Sequence, residues 1–196
     1  MIPDLEIPVD RRTAVLIVLL SVIAACGEDS TGSYPRPIEP LQLSMYDVGT
    51  GPVNRASALN VVAGSALGFP RTERVDQTEQ WDIAFGVIEG DPVWLPRGFF
   101  EGLEPDAGIL AVPSDFEEIG EAPEDKEAYE YTDPLPMVEG ETYMIRSRND
   151  PTTSLPCHIY AKVMLETIQQ DPPWIEFLIV WNPNCDDRNV TVEASE

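Results

Sequence analysis

Two stretches near the carboxyl end constrain this chain more than any other feature: residues 158–167, HIYAKVMLET, and residues 174–182, WIEFLIVWN. Each alternates with the two-residue period of a strand, and the polar run QQDPP between them suits a turn. Pairing the stretches antiparallel about Asp171 sets Ile159, Ala161, Val163 and Leu165 on one face with Ile175, Phe177, Ile179 and Trp181. A slip of one residue would turn this apolar set to the other face, so the pattern specifies its register. The same register brings Cys157 opposite Cys185. His158, Tyr160, Lys162, Met164 and Glu166 fall on the reverse face, which is mixed and expected to be part solvated.

Whether the two cysteines join depends on the compartment, which is read from the other end. Arg11 and Arg12 precede TAVLIVLLSVIAA, which runs into Cys26. Thirteen helical residues span about 20 Å, short of the roughly 30 Å apolar core of a bilayer, so the run reads as a cleaved signal peptide over residues 1–25. Ile23-Ala24-Ala25-Cys26 resembles a bacterial lipobox, which implies lipidation of Cys26 and attachment to a membrane through that lipid. Gly27 is compatible with sorting to the outer membrane. Asp4, Glu6 and Asp10 are out of place ahead of such a segment and fit a translation start further on, at Val9 if its codon is GTG. With Cys26 taken by lipid, two thiols remain in an oxidising compartment, and a Cys157–Cys185 disulfide is expected. A zinc or redox site would want a CxxC pair or further ligands, and neither is present.

Residues 27–40, GEDSTGSYPRPIEP, have no apolar period and read, with Cys26, as a flexible tether. Residues 41–196 then form one β domain. Their apolar stretches are short, punctuated by Gly, Pro, Asn and Asp, and without a sustained 3.6-residue period. With nineteen prolines in the chain, the expected fold is all-β, a compact antiparallel sheet or sandwich with long loops. Residues 115–129 are the one candidate short helix or acidic loop. The formal charge is −23, and removing Asp4, Glu6, Asp10, Arg11 and Arg12 with the signal peptide takes away one net negative charge. Such a chain is repelled by phosphate backbones, which excludes nucleic acid as a partner.

WDIAF at 81–85, TYMIR at 142–146 and YAK at 160–162 follow one another in an order that resembles the HmuY family of bacterial outer-membrane lipoproteins. The resemblance covers roughly residues 41–182. It implies a lipid-tethered antiparallel β domain that captures haem between axial His or Met side chains and delivers it to a TonB-dependent outer-membrane receptor. This chain has a single histidine, so a two-histidine site within one protomer is ruled out. The candidate ligands are His158 with Met137, or a pair drawn from Met45, Met137, Met144 and Met164. No basic residue stands out as a partner for haem propionates.

No nucleophile elbow, HExxH, phosphate loop or dinucleotide fingerprint is present, and a disulfide would leave Cys157 no thiolate. No catalytic residues and no metal ligands are assigned. The acidic stretches EPDAG, SDFEE and NPNCDDRN lack the spacing of a calcium loop and read as solvated turns. Two functional readings stand: a capture protein for haem or another hydrophobic ligand, and a non-catalytic surface interaction module of the same fold that binds no haem.

Overall fold

The computed structural model describes residues 34–62, 69–149 and 156–193. The expected signal peptide, residues 1–25, and Cys26 lie outside the described residues. Among the described residues ten strands form in chain order: β1 (Leu41–Tyr46), β2 (Ala58–Asn60), β3 (Arg71–Glu73), β4 (Ile83–Ile88), β5 (Asp91–Pro96), β6 (Gly108–Val112), β7 (Leu135–Pro136), β8 (Thr142–Arg146), β9 (Tyr160–Gln170) and β10 (Pro173–Asn182). They make two five-stranded sheets, ordered β1-β10-β9-β8-β6 and β3-β2-β4-β5-β7, with every neighbouring pair antiparallel. The fold is all-β, a sandwich as expected.

The β9–β10 hairpin carries the predicted register from Phe177 opposite Leu165 to Asn182 opposite Tyr160. Nearer the tip the register shifts by one residue, so that Ile175 faces Ile168. The two-residue connection Asp171-Pro172 moves the centre of pairing by half a residue, and a bulge absorbs the difference. Glu166 is the extra residue, and it is exposed. Leu165 and Ile168 on either side of it both keep to the core side. At the open end Cys157 and Cys185 form the expected disulfide, with their Cα atoms 5.0 Å apart.

The core between the sheets draws Ile83, Phe85 and Trp94 from one sheet and Tyr143, Ile145, Val163, Phe177 and Ile179 from the other. Trp94 meets Tyr143 and Phe177 edge to face at 5.8 and 5.9 Å, locking the layers together. The β4–β5 hairpin turns on Glu89 and Gly90, both at positive φ, the geometry of a two-residue turn that matches strand twist.

Two expectations are corrected. The reverse face of β9 is not part solvated over its first half: Tyr160 and Lys162 are buried with Met144 beneath Ile119, Ala122, Tyr129 and Val190. Residues 115–131 and the chain after β10 form this cover, joined where Ala122 N–H donates to the Arg188 carbonyl (2.8 Å) and Val190 N–H to that of Gly120 (3.0 Å). Residues 115–129 are thus a structured loop with one 3-10 turn, Lys126–Ala128, rather than a helix. Nor is the whole of 26–40 a free tether. Asn184 accepts from the Tyr34 N–H (2.7 Å) and donates to its carbonyl (2.9 Å), while Arg36 bonds Thr191 and Glu193. These bonds satisfy backbone groups that would otherwise need water, which holds 34–40 against the body.

Candidate functional site

The resemblance stretches place their charged residues inside the fold. Asp82, at the entry to β4, is fully buried. One carboxylate oxygen accepts from the N–H groups of Val61 (2.6 Å) and Val62 (3.4 Å), the other from the N–H and Nη1 of Arg148 (2.8 and 3.0 Å). Lys162 donates from Nζ to the carbonyls of Phe116 and Ile119, both at 2.7 Å, and lies over the Phe116 ring. Burial lowers its pKa, with Glu117 opposing. A lysine with two carbonyls and no buried counter-ion binds the covering loop onto β9 and leaves no charge free for a ligand. Arg97 and Arg148 border a shallow polar depression, and both are committed: Arg97 to the carbonyls of Glu79 and Trp81, Arg148 to Asp82 and Asn60.

His158 precedes β9 and is half-buried, between Cys157 and Ile159, whose side chains belong to the inter-sheet core. Its ring therefore turns to the outer face of the first sheet. Nδ1 lies 2.9 Å from the Ser147 carbonyl, which can only accept, so Nδ1 carries the proton and the neutral ring keeps its lone pair on Nε2. Burial lowers the His158 pKa first; Arg146 and Lys126 lower it further, against the Ser147 bond and Asp186. Arg146, which sequence reading missed, stands on the same face, since it faces Tyr160 across the β8–β9 pair. A basic residue closing the apolar strand TYMIR was the available signal.

Met137 is buried in the inter-sheet core, on the other side of the first sheet from His158. The two side chains are not brought together. Met45 shares that core, Met144 lies under the outer cover, and Met164 is half-buried. A flat macrocycle needs an open slot between its two axial ligands, and neither His158 with Met137 nor Met45 with Met137 flanks one; these pairs do not fit an axial couple. Among the described residues no group of three or more His, Cys, Asp or Glu is placed to hold a metal ion.

Among the described residues an apolar concavity lies where residues 34–41 cross the end of β10. It measures about 390 Å³ and is lined by Tyr34, Ile38, Leu41, Phe69, Trp181 and neighbouring prolines, with Arg36 and Glu39 as its charged members. Tyr34, Ile38 and Phe69 are exposed, whereas Trp181 is buried at its floor, 6.0 Å from the Phe69 ring. Trp181 Nε1–H is buried beneath this floor and has no hydrogen-bond partner among the described residues. Apolar walls with a few fixed polar groups are the usual make-up of a small-molecule site. Sequence reading assigned Trp181 to the core, correctly, but gave 34–40 no structure and so missed the wall they build.

No protein-family model, no curated protein and no solved structure matches the chain.

Proposed function

We propose that this chain is a non-catalytic binding protein of the bacterial cell envelope, held at the outer membrane by lipid on Cys26, that captures a hydrophobic ligand in the groove at Trp181. The groove is the observation that carries this reading: largely apolar walls, and a position next to the segment that leads to the anchor. The all-β sandwich is compatible with the HmuY resemblance, which adds haem as one candidate ligand and a TonB-dependent receptor as the protein that would take it over. Because the Met137–His158 pair is not assembled and His158 does not line the groove, haem there would be held by apolar contact without a histidine ligand.

The test is titration of the purified protein with haemin, followed by Soret absorbance, and with the apolar dye anilinonaphthalene sulfonate, followed by fluorescence. One ligand per chain is expected. Phe69→Ala and Ile38→Glu, both at exposed positions, should weaken binding about tenfold, equivalent to about 1.4 kcal/mol. Haemin binding that falls in His158→Ala but not in the groove variants would place the ligand elsewhere and overturn the groove assignment. No saturable binding of either ligand would overturn ligand capture and favour the interaction-module reading. The surface for that reading is the β4–β5 tip, where Val87 and Ile88 are exposed beside a 240 Å³ depression.

A further inference from the structure

Arg146 is the least explained charge in the fold. It is 7% exposed, and Nε is buried with no hydrogen-bond partner. The six other arginines that pair with carboxylates, Arg36, Arg71, Arg74, Arg97, Arg148 and Arg188, do so within 4.0 Å; Arg146 has no such partner among the described residues. In a chain with 35 acidic and 12 basic side chains, a counter-ion is the easiest thing to supply, so its lack at a buried guanidinium is informative.

The surroundings are built around this cation. Gly108 faces Arg146 from β6, and a Cβ there would come within 2.7 Å of the Tyr131 ring and 2.9 Å of the Tyr129 Cβ. Glycine thus lets both phenols close over the strand beside Arg146. Tyr160 faces it from β9. Tyr131 feels Arg146 both as a charge and as a hydrogen-bond partner, and its hydroxyl also donates to the Lys126 carbonyl at 3.0 Å. His158 and Lys126 bring further nitrogen to the same corner. The nearby acids bond backbone and form no ion pair with Arg146: Asp186 accepts from the His158 N–H (3.3 Å) and Asp125 from that of Glu127 (2.9 Å).

We propose that Arg146, with Lys126 and the protonated ring of His158, forms a binding site for an oxyanion, a carboxylate or phosphate group that supplies the missing counter-charge. Guanidinium groups pair with such planar or tetrahedral anions through two parallel N–H bonds; the Tyr131 hydroxyl, whose proton goes to the Lys126 carbonyl, accepts from Arg146 and positions it, and His158 becomes a donor at Nε2 when it is protonated. The site lies on the outer face of the first sheet and does not depend on the groove at Trp181.

The chain has one histidine, so the imidazole C–H proton resonances report on this corner alone. The experiment titrates the purified protein with sodium acetate and, separately, with sodium phosphate, at fixed ionic strength set by sodium chloride. A saturable His158 shift is expected, together with a rise in the pH at which His158 titrates, since a bound anion offsets Arg146 and Lys126. Response to acetate alone identifies a carboxylate site, to phosphate alone a phosphate site, and either supports the proposal. Arg146→Gln should abolish the response. Should that variant not fold, Lys126→Gln, at an exposed position, should still raise the half-saturating concentration about threefold or more. A response no larger than the chloride control, or one that Lys126→Gln leaves unchanged, overturns the site.

Discussion

At the scale of single residues, His158 offers the cleanest test because nothing else in the chain titrates like it. Its folded pKa lies below the ordinary value near 6.5, chiefly through burial, with Arg146 and Lys126 adding to it and the Ser147 bond and Asp186 opposing. Between the two values the unfolded chain binds a proton that the folded one refuses. Stability is therefore full above about pH 6.5 and is lost as pH falls towards the folded pKa. One proton limits the slope to about 1.4 kcal/mol per pH unit, and solvent around a half-exposed ring keeps it well below that. Urea midpoints from pH 7.5 to 5.5 should fall for the natural protein and stay flatter in His158→Gln; equal slopes would remove His158 as the cause. The sequence pattern placed His158 off the core, as found, because alternation is a property of the backbone. It did not show that Asp82, Arg146 and Lys162 are buried, since what buries them comes from other elements: the ends of β2 and β8 around Asp82, and the 115–131 loop over the other two. Where stretches of resemblance carry charges that close the fold, they speak for architecture before ligand.

Among the elements, the β9–β10 hairpin was the most legible, because two independent signals, apolar alternation and cysteine placement, agreed on one register. Its bulge was not legible: Glu166 leaves the ladder only because the connection at Asp171-Pro172 is one residue shorter than pairing about Asp171 requires. The disulfide closes a loop with a sequence separation of 28, which in the chain-entropy account contributes about 3–4 kcal/mol by limiting the unfolded ensemble. Bonds around it hold the same geometry without the sulfur link. Cys157 N–H donates to Asn149 Oδ1 (2.6 Å), and Asp186 N–H to the His158 carbonyl (2.9 Å). Replacing both cysteines by serine should therefore leave the strand spectrum intact by circular dichroism while lowering unfolding stability by about 3 kcal/mol. Loss of the folded spectrum in buffer would mean that the bond builds the open end rather than merely limiting the unfolded chain.

For the whole molecule, the decisive quantity is the charge of −23, and its distribution explains how so acidic a chain still packs. Buried positions are held mainly by apolar side chains, with a few charges of which Asp82 and Arg148 pair with each other, while nearly all carboxylates remain on loops and strand ends. Like charges so placed repel through solvent, and salt weakens that repulsion over distances of about 8–10 Å at 0.10–0.15 M. Sodium chloride raised from 20 to 300 mM should thus stabilise the protein, by about 1 kcal/mol if the screened term is of the usual surface size, which for a domain of this size raises the melting temperature by about 2–4 °C. Calcium chloride separates this from specific binding. With no three-ligand acidic group among the described residues, screening alone makes calcium act through ionic strength, so at matched ionic strength the two salts should give the same melting temperature. A calcium-specific rise at submillimolar concentration, where ionic strength hardly changes, would require a bound ion and so a rigid set of oxygen ligands. The loops that sequence reading took for solvated turns would then be the place to look for it.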